Sequence, residues 1–195
     1  MGQIAGSSLF RGALWIRAGG AALGEIQHLA RRARERIGGP VVHPHVSLLG
    51  GIELSSTEAM HRLKRLADGF LTFTVRLGRL DWYNEYYRCF FARVEASPEL
   101  LSLYRRAQDV FEMHPREAYE PHVSLAYGEV EVERKRDLAV ELGSALDLSF
   151  QANGLCLVDA TGDVPVEQWR THLEARFNGA PVLTTEAKEI RTYGN

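Results

Sequence analysis

One five-residue string occurs twice in the chain, and the two copies lie 77 residues apart. Pro-His-Val-Ser-Leu occupies 44–48 and again 121–125. The same offset places Leu-Thr-Phe at 71–73 on Leu-Ser-Phe at 148–150 without a gap. An internal repeat in register predicts two copies of one supersecondary unit, neither of which can bury its apolar face alone. The chain is therefore constrained to a fold whose halves are related by an approximate two-fold axis.

Each copy of the string places a histidine and a serine two residues apart among residues that favour strands. Side chains alternate between the two faces of a strand, so His45 shares a face with Ser47, and His122 shares one with Ser124. The valine between them faces the core. Because the two-fold relation brings the motif strands together, we expect two imidazoles and two hydroxyls to converge in one cleft.

These four side chains are suited to acid–base chemistry on a phosphate. Opening a cyclic phosphodiester requires a base for water, an acid for the departing sugar oxygen, and donors for the non-bridging oxygens. Imidazole, with an ordinary pKa of about 6.5, can act as base or acid near neutrality, so no metal or cofactor is required. A single His-x-Ser on a strand is an ordinary structural feature, and it is the second copy that indicates a site.

The spacing of apolar residues predicts the other elements. Strands are expected at 13–16, 41–49, 70–77, 86–95, 148–150, 155–158 and 166–177, and helices at 23–37, 55–69, 98–111 and 133–142. Gly-Gly-Pro at 38–40 predicts the end of the first helix, and Ser55 with Glu58 resembles a capping box at the start of the second.

The overall charge limits the class of ligand. Lys and Arg number 23 against 25 Asp and Glu, a net charge of −2, so long nucleic acid is not an expected partner, whereas a small anion is. Cys89 and Cys156 lie far apart in apolar runs, which favours a reduced, cytoplasmic protein. A single disulfide between them is the alternative. We expect a soluble monomer with neither a secretion signal nor a membrane span.

A metal site is conceivable at His43, which is two residues from His45 and would share its strand face. No third ligand at an interpretable spacing accompanies this His-x-His pair. A partly exposed histidine at the entrance to the strand is the better interpretation, and no metal ligand is predicted.

The doubled His-x-Ser motif resembles the 2H phosphoesterase superfamily, and the chain is most similar within it to the cyclic nucleotide phosphodiesterases of plants and yeast. The resemblance spans most of the chain, and Ser47 stands where many relatives have threonine. Segments similar in kind and order are Leu-Trp-Ile at 14–16, Gly-Gly-Pro at 38–40, both motifs, Tyr-Arg-Cys at 87–89, Tyr-Glu at 119–120, Ala-Tyr-Gly at 126–128, Leu-Val-Asp at 157–159 and Trp169.

The resemblance implies a bilobal α+β fold, with two pseudo-symmetric lobes, an antiparallel sheet in each, helices outside and a histidine cleft between them. It corresponds to a single domain at 1–178, with repeat units at about 12–80 and 86–177. The tail at 179–195 has no counterpart.

The resemblance also implies roles for individual residues. His45 and His122 are catalytic by this resemblance, with His122 as base and His45 as acid. Ser47 and Ser124 bind phosphate oxygens. Two aromatic side chains, Trp15 and Tyr127, match positions that face the ligand, although packing in the core is the competing interpretation for both.

The function expected on these grounds is hydrolysis, without metal, of nucleoside 2′,3′-cyclic phosphates or ADP-ribose 1″,2″-cyclic phosphate, leaving a 2′-phosphate on nucleosides. Such a hydrolase belongs to RNA metabolism. One alternative is a 2H enzyme that acts on RNA 2′,3′-cyclic ends or cyclic oligonucleotide messengers, which a local basic groove would favour. Another is a nucleotide-binding module without catalysis, against which the intact His and Ser of both motifs argue.

Overall fold

The computed structural model of the protein describes residues 8–143 and 145–178. The fold is α+β, as expected. The strands are β1 (Leu9–Arg17), β2 (His45–Ser55), β3 (Phe73–Asp81), β4 (Phe90–Val94), β5 (His122–Ala126), β6 (Ala145–Ala152), β7 (Gly154–Val158) and β8 (Thr171–Arg176). The helices are α1 (Ala21–Ile37), α2 (Ser56–Ala67), α3 (Pro98–Phe111) and α4 (Val132–Leu142). Two short 3₁₀ turns occupy Tyr86–Arg88 and Val166–Gln168.

The motif strands lie side by side at the centre of one antiparallel sheet. Its strand order is β6-β3-β4-β5-β2-β1-β7-β8, and β2 pairs with β5 through Val46 and Val123. Both valines are fully buried. The two antiparallel sheets implied by the resemblance are therefore joined into a single curved sheet at the point where the two motifs meet.

Each half of this sheet contains strands from both repeat units. Strand β3 belongs to the first unit but pairs with β4 and β6, which belong to the second. Thr74 and Gln151, which the repeat equates, are hydrogen-bonded through their side chains at 2.9 Å. The two sequence units are thus distinct from the two halves of the sheet, because β3 of the first unit pairs with β4 of the second, and β7 of the second unit pairs with β1 of the first. The division into domain and tail stays a prediction, and 179–195 lie outside the described residues.

The helices begin and end close to the predicted positions. Ser55 caps α2 by accepting a hydrogen bond from Glu58 N at 3.2 Å, and Gly38 ends α1 with φ 86°. Helix α3 starts at Pro98, with Ser97 as its N-cap. Local capping signals were sufficient here because a helix end depends on residues within one turn of it.

The strand boundaries differ more from the prediction. Strand β2 begins at His45 instead of residue 41 and runs through Gly50-Gly51, which were expected to end it. The pairing of β2 with β1 skips residues between Leu49 and Ile52, and Gly51 has φ 71°. Since a β-bulge accommodates an extra residue in the left-handed region, the glycines bend the strand without ending it.

Two other predicted strands begin with a 3₁₀ turn. The segment expected as a strand from 86 is a turn at Tyr86–Arg88 before β4, and the one expected from 166 is a turn at Val166–Gln168 before β8. Strand β3 covers Phe73–Asp81 instead of 70–77. Apolar alternation alone does not distinguish a strand from the turn that leads into it.

The two cysteines are buried free thiols, and burial raises the pKa of Cys156 to about 12. No helix in the described part of the chain is long and apolar enough to cross a membrane.

Gly39 lies just after α1, where the chain packs closely against the residues that follow the second motif. Its φ is 84°, and a Cβ there would lie 2.2 Å from the backbone oxygen of Tyr127. We expect Gly39→Ala to lower the free energy of unfolding by about 1–3 kcal/mol, measured by urea denaturation, because it combines strain with a backbone clash.

The matched control is Gly24→Ala within α1, where a Cβ meets nothing within 4 Å. This variant should be stabilised by about 0.5–1 kcal/mol, since alanine favours the helix. Equal effects of the two substitutions would contradict the inferred contact.

Candidate active site

A cleft of about 290 Å³ lies where β2 and β5 meet. All six side chains predicted as site residues line it: His45, Ser47, His122, Ser124, Trp15 and Tyr127. The structure thus brings together both motifs and both aromatic residues. Their chemical roles stay predictions.

The two imidazoles are anchored in the same way. His45 Nδ1 is 2.6 Å from the backbone oxygen of His43, and His122 Nδ1 is 2.8 Å from that of Glu120. A carbonyl oxygen only accepts, so Nδ1 carries the proton of the neutral ring and Nε2 is left as the proton acceptor. Each copy of the repeat therefore presents an imidazole with its basic nitrogen on the side away from the main chain.

His45 is the more buried of the two histidines, with 6% of its surface exposed. Its ring stacks on that of Trp15, with centroids 3.5 Å apart and an interplanar angle of 11°. Burial lowers the pKa of His45 to about 4, although the hydrogen bond to His43 opposes the shift. The charge of a protonated His122 lowers it further.

His122 is partly buried and lies against Phe91, with ring centroids 4.9 Å apart. Burial lowers the pKa of His122 as well, opposed by its hydrogen bond to Glu120, while the charge of Arg88 adds to the lowering. Near neutral pH, and without a bound anion, both imidazoles are consequently uncharged.

The two hydroxyls are in different environments. Ser47 is exposed, and its backbone oxygen accepts a hydrogen bond from the Tyr119 hydroxyl at 3.1 Å. Ser124 is buried, and its Oγ donates to the backbone oxygen of Tyr87 at 3.3 Å. Ser124 would have to exchange this carbonyl for a phosphate oxygen, whereas Ser47 is already open to the cleft.

Trp15 and Tyr127 are both deeply buried in the cleft wall, with 6% and 3% of their surfaces exposed. One face of the Trp15 ring is covered by the stacked imidazole of His45. The outer aromatic pair is Tyr87 and Trp169, whose ring centroids are 5.9 Å apart at 29°. Tyr87 is 41% exposed.

Tyr87, Arg88 and Trp169 are among the lining residues for which the sequence predicted no role. Tyr87 and Arg88 were expected within a strand but lie in the 3₁₀ turn, and Trp169 precedes β8. Their membership in the segments that resemble the family was the one available signal. The local spacing of apolar residues could not place these side chains in the cleft, because it does not give the position of a turn relative to distant strands.

His43 is exposed, and its main chain contacts His45. Within residues 8–143 and 145–178, no three or more His, Cys, Asp or Glu side chains are grouped so that they could share a metal ion.

Comparison with known proteins identifies the family of this chain. The model of the 2′-5′ RNA ligase superfamily matches residues 11–164. A cyclic phosphodiesterase of Arabidopsis thaliana is 30% identical over 156 residues, which cover 77% of this chain and 86% of that protein.

Solved structures share the fold at low sequence identity. Escherichia coli LigT complexed with 3′-AMP has a TM-score of 0.61 at 15% identity, and the TT0787 protein of Thermus thermophilus has 0.62 at 16%. Each alignment covers 87% of this chain and 99% of the other. The fold and the paired motifs define a 2H phosphoesterase. The chain belongs to the 2′-5′ RNA ligase superfamily.

The burial of His45 predicts a specific dependence of stability on pH. Unfolded His45 takes up a proton below its ordinary pKa of about 6.5, whereas folded His45 does so only near 4. Its contribution to stability is complete above pH 6.5 and declines by roughly 3 kcal/mol as the pH falls to about 4. His45→Asn should remove this part of the decline.

The measurement is urea denaturation of wild type and variant across that pH range. His61→Asn, at an exposed position on α2, is the control and should keep the wild-type decline. A His45→Asn variant with an unchanged dependence would contradict the neutral, buried state of His45.

Proposed function

We propose that this protein is a metal-independent cyclic phosphodiesterase. Its proposed substrates are nucleoside 2′,3′-cyclic phosphates or ADP-ribose 1″,2″-cyclic phosphate, with a 2′-phosphate left on nucleosides. The observation that carries the proposal is the pair of imidazoles on adjacent strands, each held through Nδ1 by the carbonyl two residues earlier. The Arabidopsis relative, named as a cyclic phosphodiesterase, supports it.

The reaction requires one neutral histidine and one protonated histidine. The neutral imidazole takes a proton from water through Nε2 as the water oxygen bonds to phosphorus. The protonated imidazole donates its Nε2 proton to the 3′-oxygen as the bond between that oxygen and phosphorus breaks. One P–O bond forms and one breaks, and the two histidines exchange protonation states.

A bound phosphate makes this combination possible. In the empty cleft both imidazoles are neutral, because burial lowers both pKa values. The negative charge of a cyclic phosphate raises the pKa of each imidazole, so one of them can carry a proton. Substrate binding thus supplies the acid.

Burial favours His122 as the acid and His45 as the base, because the more buried imidazole is the harder to protonate. This order is the reverse of the one that the resemblance implies. A substrate with sulfur in place of the 3′-oxygen distinguishes the two, since a thiolate leaves without a proton. Such a substrate rescues only the variant that lacks the acid.

The outer aromatic rings can hold the base. Tyr87 and Trp169 line the cleft with their ring planes inclined by 29°. Stacking on aromatic faces tolerates any base, because every base has a π-face.

The first test is turnover of 2′,3′-cyclic mononucleotides in the presence of a chelator. We expect wild-type activity to persist, and His45→Ala and His122→Ala each to lower kcat by at least about 100-fold, because each removes a proton-transfer group. His61→Ala is the control at an exposed position.

The possible outcomes separate the alternatives. Activity that survives either motif substitution would overturn the mechanism, and loss in chelator would point to a metal near His43. Tight binding of nucleotide without turnover would indicate a binding module. Faster turnover of RNA 2′,3′-cyclic ends than of mononucleotides would favour the enzyme that acts on RNA.

The pH profile is the second test. We expect a bell-shaped kcat/KM profile with its maximum below pH 6.5, because the pKa values of both free imidazoles are lowered and the acid is lost above its pKa. The kcat profile should lie at higher pH, because the bound anion raises both pKa values. A kcat/KM maximum above pH 7 would contradict the electrostatics described for the empty cleft.

A further inference from the structure

Arg88 is a permanently charged side chain in the wall of the cleft. Of the described residues that line it, Arg88 alone is an arginine or lysine. Both imidazoles are neutral near pH 7 and the two serines are uncharged. Among the described lining residues, Arg88 therefore carries the one full positive charge that an entering phosphate meets before any proton is taken up.

Arg88 lies beside the second motif. The carbonyl of the preceding residue, Tyr87, accepts the hydrogen bond from Ser124 Oγ. The charge of Arg88 also contributes to the lowered pKa of His122. The guanidinium is thus near the end of the cleft where His122 and Ser124 lie.

The position of the guanidinium is fixed from one side. Arg88 Nη2 donates to Glu120 Oε2, and Arg88 Cζ lies 4.3 Å from the ring centroid of Tyr83. The buried Lys135 donates to Tyr83 O and Asn84 Oδ1, both at 2.9 Å, and Tyr83 N in turn donates to Arg88 O at 2.9 Å. The turn that carries Arg88 is therefore held from inside the protein.

Part of the hydrogen-bond capacity of Arg88 is unused within the described residues. Its Nε is buried and has no hydrogen-bond partner among the described residues. Its Nη1 is ion-paired with Glu85 Oε2 at 3.6 Å, which is longer than a hydrogen bond. The guanidinium therefore keeps hydrogen-bond donors that Glu120 does not use.

We propose that Arg88 is a further catalytic residue, whose guanidinium binds a non-bridging oxygen of the reacting phosphate. The charge on these oxygens increases as water adds to phosphorus, so a fixed cation stabilises the transition state more than the substrate. The inference rests on the proposed function. Glu120 is a positioning residue, because its carboxylate holds Arg88 while its carbonyl holds His122.

The test compares Arg88→Gln and Arg88→Lys on two substrates. A nucleoside 2′,3′-cyclic phosphate has only the reacting phosphate, whereas ADP-ribose 1″,2″-cyclic phosphate also has a diphosphate. We expect Arg88→Gln to lower kcat/KM by about 100-fold on both, mainly through kcat, and Arg88→Lys to restore part of the loss. A loss confined to the second substrate would overturn the proposal, because Arg88 would then bind the diphosphate.

Two control variants separate charge from structure. Arg93→Gln disrupts the same cluster, since Arg93 also pairs with Glu120 and Asp81, but Arg93 does not line the cleft. Arg134→Gln changes an exposed arginine on α4. Both should lose much less activity than Arg88→Gln at equal Tm. Equal losses for Arg93→Gln and Arg88→Gln would assign Arg88 a structural role and overturn the proposal.

Calorimetric titration with inorganic phosphate tests Arg88 independently of turnover. Arg88→Gln should weaken phosphate binding by about tenfold, and Arg88→Lys by less. If the wild type turns over neither substrate, the proposed function fails while this titration still decides the inference. Unchanged phosphate binding in Arg88→Gln would overturn it.

Discussion

The pairing of β2 with β5 at Val46 and Val123 is the contact on which the rest of the structure depends. Both valines are fully buried, and their strands meet at the centre of the sheet. Because side chains alternate along a strand, burying a valine turns the histidine before it and the serine after it to the other face. The same apolar contact therefore forms part of the core and directs four polar groups into one cleft. A shift of register by one residue would remove the valines from the core and turn the polar groups away from the cleft.

The two halves of the site have the same sequence but differ in environment. His45 is enclosed beneath Trp15, whereas His122 is more open and lies near a cation, Arg88. Ser47 is exposed and Ser124 is buried. Acid–base catalysis requires two groups in different protonation states, and two identical environments would give them equal pKa values. The asymmetry between the copies is thus part of the proposed chemistry.

Burial and charge act in sequence in this cleft. Burial keeps both imidazoles neutral, so the empty site contains little positive charge of its own. A bound phosphate raises the pKa values of the imidazoles, so that one of them can be protonated. Arg88 is proposed to contact that phosphate before the proton is taken up. The low dielectric of a buried site strengthens both effects.

The sequence by itself determined the two motifs, the face on which His45 and His122 lie, and the positions of the four helices. These features depend on alternation within a strand and on caps within one helical turn, which are local. Only the tertiary structure decided that β3 crosses to the other half of the sheet, that glycines at 50–51 form a bulge, and that Arg88 and Trp169 reach the cleft. These features depend on strand pairing and on turns between residues far apart in the chain. Their energies arise from contacts that no short window of sequence contains.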